Sequence, residues 1–98
     1  MKFEILIRAE AEAELAESYL WYEAQSAGLG ADFLLCVEAA LHQVERNPEG
    51  FQLIYKNVRR ALVKRFPYGV FYTSSKSTIT VIAVFHASRN PMIWRGRS

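Results

Sequence analysis

The chain has 98 residues, of which 51% are hydrophobic, and it carries a net charge of +2. A chain of this length and composition is expected to fold as one domain, residues 1–98, because it has too few residues to bury a second core. Its apolar runs are far shorter than the roughly 20 residues that cross a bilayer, and its first residues do not resemble a signal peptide, so we expect a cytoplasmic protein without a membrane segment.

The first half of the chain predicts a strand followed by two helices. Residues 2–8 alternate with a period of two, which is typical of a strand. From Ala9 the sequence is rich in Ala and Glu and spaces apolar residues three and four positions apart, which favours a helix. Gly28 and Gly30 interrupt that helix, and a second one is predicted over residues 31–46, where an Asn-Pro step ends it.

The second half of the chain predicts three strands. After a loop over residues 49–57, alternation predicts a strand over 60–66, which Pro67 separates from the next strand over 68–73. The last strand, residues 78–87, is the most apolar and is expected in the interior of the sheet. Strict alternation assigns its side chains to two faces, with Ile79, Val81, Ala83 and Phe85 on one and Thr80, Ile82, Val84 and His86 on the other.

This order of elements, β-α-α-β-β-β, favours an α+β fold. We expect a helical hairpin packed on one face of a mainly antiparallel four-stranded sheet. The aromatic residues Tyr19, Trp21 and Tyr22 lie at helical spacing, which favours the core over a platform for stacking bases.

Charged residues are divided between the two halves of the chain. All ten acidic residues precede residue 51, whereas nine of the twelve lysines and arginines follow residue 50. This segregation predicts either an anionic partner for the basic half or two halves that fold against each other. Cationic side chains on a rigid sheet suit nucleic acid or an acidic protein surface.

No cofactor or metal is expected from the sequence. The single cysteine, Cys36, cannot form an internal disulfide and fits a small buried side chain on a helix. The acidic run on the first helix lacks the spacing of metal ligands, and no glycine-rich phosphate loop is present in the sequence.

Sequence elements shared with a known superfamily run in order through nearly the whole chain. They are Leu15, Trp21-Tyr22, Gly28-Leu29-Gly30, Phe33, Asn47-Pro48, Arg60, Arg65-Phe66-Pro67-Tyr68, Tyr72, Ala83-Val84-Phe85-His86, Arg89, Pro91 and Trp94-Arg95. With these residues the chain resembles the ParE/RelE superfamily of toxins, and more narrowly its ParE-like branch, often labelled plasmid stabilisation proteins. The resemblance implies the toxin half of a type II toxin–antitoxin pair, neutralised by a small antitoxin encoded beside it.

The resemblance implies one of two activities, which make different chemical demands. ParE-type members poison DNA gyrase, which requires a binding surface, whereas RelE-type members cleave mRNA on the ribosome. Cleavage without a metal requires a base, an acid and cations. His86 is the titratable candidate, with Arg60, Arg65 and Arg89 to stabilise the developing charge. Since the basic half has no carboxylate, an Asp or Glu would have to come from the first half.

We therefore expect an inhibitor of DNA gyrase. A ribosome-dependent endoribonuclease and a non-toxic relic that only binds its antitoxin are the alternatives. His86 itself has a structural alternative, because a histidine at the end of an apolar strand is often a hydrogen-bonded packing residue.

A binding role draws on the same cations and on the C-terminal tail. Trp and Arg are the residue types that most often dominate interface energetics. The residues expected to contact the target or the antitoxin are Arg60, Arg65, Arg89, Trp94, Arg95 and Arg97. For Trp94, packing against the sheet is the alternative. We expect an acidic antitoxin that folds as it binds, and a higher-order toxin–antitoxin assembly is left open.

Overall fold

The computed structural model describes residues 3–87, which form two helices packed on a five-stranded sheet. The elements are β1 (Glu4–Ile7), α1 (Ala9–Gln25), α2 (Leu29–Arg46), a 3-10 turn (Pro48–Gly50), β2 (Gln52–Tyr55), β3 (Val58–Leu62), β4 (Tyr68–Ser74) and β5 (Thr78–His86). The strand order is β1-β5-β4-β3-β2, with β1 parallel to β5 and every other pair antiparallel. The predicted α+β fold, with its helical hairpin and mainly antiparallel sheet, is confirmed.

The sheet has one strand more than the sequence predicted. Residues 49–57 were expected to be a loop, but Gln52–Tyr55 pairs with β3 as an edge strand. Lys56 and Asn57 join the two strands, and Lys56 has a φ of 49°, a left-handed conformation that suits a tight hairpin turn. A strand of four residues is too short to show a clear alternation, which is why the pattern missed it.

The connection between α1 and α2 depends on two glycines. Gly28 has a φ of 87°, a conformation that favours glycine. The carboxylate of Glu23 accepts hydrogen bonds from the N–H groups of Gly28 and Gly30, both at 2.9 Å, and so satisfies donors at the start of α2. A Cβ on Gly30 would lie only 2.7 Å from the carbonyl oxygen of Tyr19. The close approach of the two helices therefore requires that no side chain be present there.

The main core lies between the helices and the sheet. On α2 it is formed by residues at helical spacing, namely Phe33, Val37, Ala40 and Val44. Phe33 also belongs to an aromatic cluster with Tyr22, Phe66 and Tyr68, whose ring centroids are 4.9 to 5.9 Å apart. Aromatic pairs at these distances stabilise a fold beyond the area they bury. The cluster fixes both helices to the turn between β3 and β4.

β5 contains a β-bulge at Ile82. Phe71 and Tyr72 are neighbours on β4, but their partners on β5, Ala83 and Val81, are two residues apart. Ile82 is therefore the extra residue, and one inserted residue reverses the alternation beyond it. The prediction of strict alternation along this strand is correct up to Ile82 and wrong after it.

The bulge divides β5 between two cores. Val84 joins the core beneath the helices, whereas Ala83 and Phe85 lie in a second apolar cluster on the other face of the sheet. His86 follows Phe85, so its side chain returns to the helix side. There it lies directly across the ladder from Tyr68.

Candidate functional site

His86, the last residue of β5, lies in a cleft between α1 and the adjoining ends of β4 and β5. This cleft, which we call the His86 cleft, has a volume of about 390 Å³. Among residues 3–87, the other residues that line it are Glu17, Ser18, Trp21, Tyr22, Pro67 and Tyr68. The rings of His86 and Tyr68 are 5.7 Å apart between centroids, in an edge-to-face arrangement.

Two carboxylates of α1 lie along this part of the sheet. Glu14 accepts a hydrogen bond from the N–H of Val84 at 3.0 Å and so holds α1 against β5 just beyond the bulge. Glu17 lies one turn further along α1 and lines the His86 cleft. The first half of the chain thus supplies a carboxylate to the cleft that holds the histidine. The spacing of Glu14, Glu17 and Ser18 on one side of a helix is the sequence signal that would have indicated it.

Aromatic residues form an apolar wall of the cleft. Trp21 is 58% exposed, so the prediction that it belongs to the core is wrong. Its ring meets the ring of Tyr22 edge-on, with centroids 5.0 Å apart. Tyr22 packs more deeply, and burial, with a smaller contribution from Tyr68, raises the pKa of its phenol above the usual value. The exposed indole provides a surface on which a planar or apolar group can stack.

Arg60 lies on the other face of the sheet from His86. Its neighbour Ala61 belongs to the core beneath the helices, so Arg60 faces away from them. Arg60 pairs across the ladder with Phe71, a member of the second apolar cluster. A Cβ on Gly69 would lie 3.1 Å from Cγ of Arg60, which shows how closely the arginine stem covers this face. Arg60 and His86 therefore do not form one site.

Arg65 occupies a third location, in the turn between β3 and β4. It has a φ of 72°, and its guanidinium lies 3.8 Å from the carboxylate of Asp32 on α2. The two side chains are 64% and 48% exposed, and an exposed ion pair of this kind contributes at most about 1 kcal/mol. Arg65 is thus an accessible cation beside α2. The other predicted site residues, Arg89, Trp94, Arg95 and Arg97, lie outside the described residues.

Arg59, which the sequence did not single out, supports the loop between α2 and β2. Its Nη1 donates a hydrogen bond to the carbonyl oxygen of Phe51 at 2.6 Å. Beside it, the hydroxyl of Tyr72 donates to the carbonyl oxygen of Pro48, also at 2.6 Å. Burial raises the pKa of Tyr72 to about 12, although the nearby Arg59 acts in the opposite direction. These two bonds hold the loop against the sheet.

The His86 cleft contains groups that can exchange a proton, an imidazole and a carboxylate. Within residues 3–87, however, its lining includes no lysine or arginine, the side chains that would stabilise a developing phosphorane. The described lining is therefore better suited to seating an apolar or aromatic group. In the same part of the chain, no three metal-ligating side chains come together, and neither helix has the length and apolar character of a membrane span.

Relatives of the chain are known across most of its length. A family model described as ParE toxin of type II toxin–antitoxin system, parDE, matches residues 5–91. Toxin ParE2 of Mycobacterium tuberculosis, in strains CDC 1551 / Oshkosh and H37Rv, is 27% identical over 81 residues, which cover 82% of this chain and 77% of that protein. This chain also matches a solved structure described as the chromosomal ParDE TA system from P. aeruginosa. The match covers 87% of this chain and 96% of the chain in that structure. Its TM-score is 0.76 at 12% identity, which shows a shared fold.

Proposed function

The chain belongs to the ParE toxin family of type II toxin–antitoxin systems, and on that premise we propose that it inhibits DNA gyrase by binding and is neutralised by a cognate acidic antitoxin. The separation of its functional candidates supports binding over catalysis. His86 lies on the helix side of the sheet, Arg60 on the other face, and Arg65 in a turn beside α2. Dispersed arginines and an accessible tryptophan, Trp21, suit a protein interface, where these residue types often dominate the energetics.

The charge distribution supports an acidic antitoxin as the partner. Residues 51–98 carry lysines and arginines but no acid. A disordered acidic segment gains both charge complementarity and apolar burial when it folds onto such a surface. The structural relative from P. aeruginosa is described as a ParDE toxin–antitoxin system, which supports the same pairing here. From these two partners we also propose that the toxin acts in the cytoplasm.

Gyrase inhibition is tested by two assays on the induced toxin. We expect the purified toxin to block supercoiling by gyrase and the transcripts of induced cells to remain intact in primer extension. Addition of the co-expressed product of the neighbouring reading frame should relieve the block. Cleavage of transcripts at codon positions, with supercoiling unaffected, would replace this function with that of a nuclease. Neither effect would leave the non-toxic relic as the function.

One observation favours a ribosome-dependent endoribonuclease as the second candidate. Glu17 and His86 line the same cleft, and a carboxylate and an imidazole are a suitable base and acid for cleavage beside a 2'-hydroxyl. Under this function, His86→Ala should lower the cleavage rate by about 100-fold or more, and Glu17→Gln should also lower it. A gyrase inhibitor should lose activity only as far as the substitution destabilises its fold, which thermal unfolding of the same variants measures.

A further inference from the structure

A shallow groove runs between α2 and the end of β3, away from the His86 cleft. Its volume is about 250 Å³. The residues that line it include Leu35, Cys36, Ala39, Leu62, Lys64 and Arg65. Leu35 is 62% exposed and Leu62 is 59% exposed, and exposed leucines that face one groove indicate an interaction site more than scattered ones do. We call this surface the α2–β3 groove.

Among residues 3–87, no strand pairs with the end of β3 along this groove. β2 pairs with β3 only between Val58 and Arg60, whereas β3 continues to Leu62. On the opposite side, β4 accompanies β3 to its end, and the N–H of Val63 donates to the carbonyl of Tyr68 at 2.9 Å. Successive residues of an antiparallel strand bond to alternate sides, so the N–H and C=O of Leu62 point to the side beyond the end of β2. An extended segment that runs along this edge adds to the sheet through backbone hydrogen bonds.

The charged residues at the rim of the groove favour an acidic segment. Lys64 and Arg65 are exposed at the rim, next to the open edge. The guanidinium of Arg65 lies 3.8 Å from Asp32, an exposed pair with which an incoming carboxylate competes on nearly equal terms. The floor is apolar, and in an extended segment every second side chain points the same way. The matching segment therefore alternates apolar residues, directed at α2, with Asp or Glu.

We propose that the α2–β3 groove seats an extended, acidic segment of the antitoxin, which pairs with the edge of β3 at Leu62 and places its apolar side chains on Leu35. This inference rests on the toxin–antitoxin pairing proposed above and specifies where on the toxin that pairing is made.

Cys36 makes a direct test available, because it is the only cysteine of the chain and lies half-buried in the groove. The rate at which a small maleimide alkylates Cys36 is measured for the free toxin and for its complex with the co-expressed antitoxin. An occupied groove should slow alkylation by about tenfold or more, since the thiol becomes inaccessible. The matched control carries Cys36→Ser and Ser75→Cys, which moves the thiol to the exposed β4–β5 turn, where the rate should be unchanged.

The outcomes of this test are distinguishable. A complex that co-elutes in size exclusion while Cys36 reacts at its free rate would overturn the groove assignment and leave the pairing intact. If no complex forms with the co-expressed antitoxin, the pairing itself is wrong and the groove assignment falls with it.

A pair of variants tests the apolar contact. Leu35 on α2 and Leu20 on α1 are 62% and 65% exposed, so replacement by Glu removes a similar apolar area and adds the same charge at each site. Leu35→Glu should weaken antitoxin binding by about tenfold or more, whereas Leu20→Glu should change it by less than about twofold. Glu is a good helix former, and circular dichroism verifies the fold of both variants. Equal weakening by the two substitutions, or a larger effect of Leu20→Glu, would contradict the assignment.

Discussion

Tyr72 is completely buried, and its hydroxyl donates a hydrogen bond of 2.6 Å to the carbonyl of Pro48. Tyr72→Phe removes the donor and leaves that carbonyl without its partner, so we expect the free energy of unfolding to fall by about 1–2 kcal/mol. Urea unfolding monitored by tryptophan fluorescence measures this loss. Tyr19→Phe, at a half-buried position on α1, is the control and should cost less than about 0.5 kcal/mol. Equal losses in the two variants would contradict a special role for the bond to Pro48.

The pKa of Tyr72 makes its contribution depend on pH. Burial raises this pKa from 10.0 to about 12. The unfolded chain then loses the phenolic proton near pH 10 and the folded chain only near pH 12, so the stabilisation is complete below pH 10 and is lost as the pH rises through 12. The difference in unfolding free energy between the wild type and Tyr72→Phe should therefore decrease across this interval, by roughly 2 kcal/mol. A difference that stays constant from about pH 9 to about pH 12 would contradict the raised pKa.

The sequence identified His86, Arg60 and Arg65 as candidates but could not predict that they lie apart. Their separation is a property of strand pairing. Arg60 faces away from the helices because Ala61 faces toward them, and His86 faces toward them because of the bulge at Ile82 in its own strand, β5. Residue type indicates which chemistry is available, whereas the sheet decides which groups meet.

At the scale of elements, the α1–α2 hairpin accepts a side chain at one glycine better than at the other. A Cβ on Gly28 would meet no atom within 4 Å, but its φ of 87° is unfavourable for alanine, so Gly28→Ala should cost about 1 kcal/mol. A Cβ on Gly30 would lie 2.7 Å from the backbone oxygen of Tyr19, so Gly30→Ala should cost about 2–3 kcal/mol. Thermal unfolding of the two variants establishes the order. The reverse order would mean that the helices can separate at little cost.

The long elements were predictable because periodicity needs length to become visible. The two helices have 17 and 18 residues, and their apolar spacing indicated both of them. β2 has four residues, too few for a pattern, and was missed. The bulge in β5 was missed for another reason. Most of this strand is buried on both faces, so no regular change from apolar to polar residues marks the position at which the alternation reverses.

At the scale of the whole molecule, the division of charge along the sequence is also a division between secondary-structure elements. Nine of the ten acidic residues belong to β1, α1 and α2. In contrast, Arg59, Arg60, Lys64 and Arg65 belong to β3 and the turn that follows it. From this division the sequence predicted either an anionic partner for the basic half or two halves that fold against each other, and both stay predictions. The clefts themselves were not predictable, because each one is formed by a helix and a strand that are far apart in the chain.

The separated charges predict a strong effect of salt on complex formation. We expect the association rate of toxin and antitoxin to fall by about tenfold as the ionic strength rises from about 0.05 M to about 0.5 M, and the dissociation rate to change much less. The physical reason is that salt screens the long-range attraction which guides the encounter but affects closely packed contacts only weakly. Stopped-flow fluorescence at several salt concentrations measures both rates. An association rate that does not depend on salt would contradict electrostatic guidance.

The extra residue Ile82 in β5 determines which face of the sheet each later side chain of the strand points to. Without it, the same amino acids would follow in the same order, yet His86 would turn away from α1 and Phe85 would turn toward it. A single insertion or deletion in this strand therefore moves every later side chain of the strand to the opposite face of the sheet. Two homologous chains that look alike residue by residue can thus present opposite surfaces to a partner, and an alignment of this family has to place the bulge before it compares the residues of its clefts.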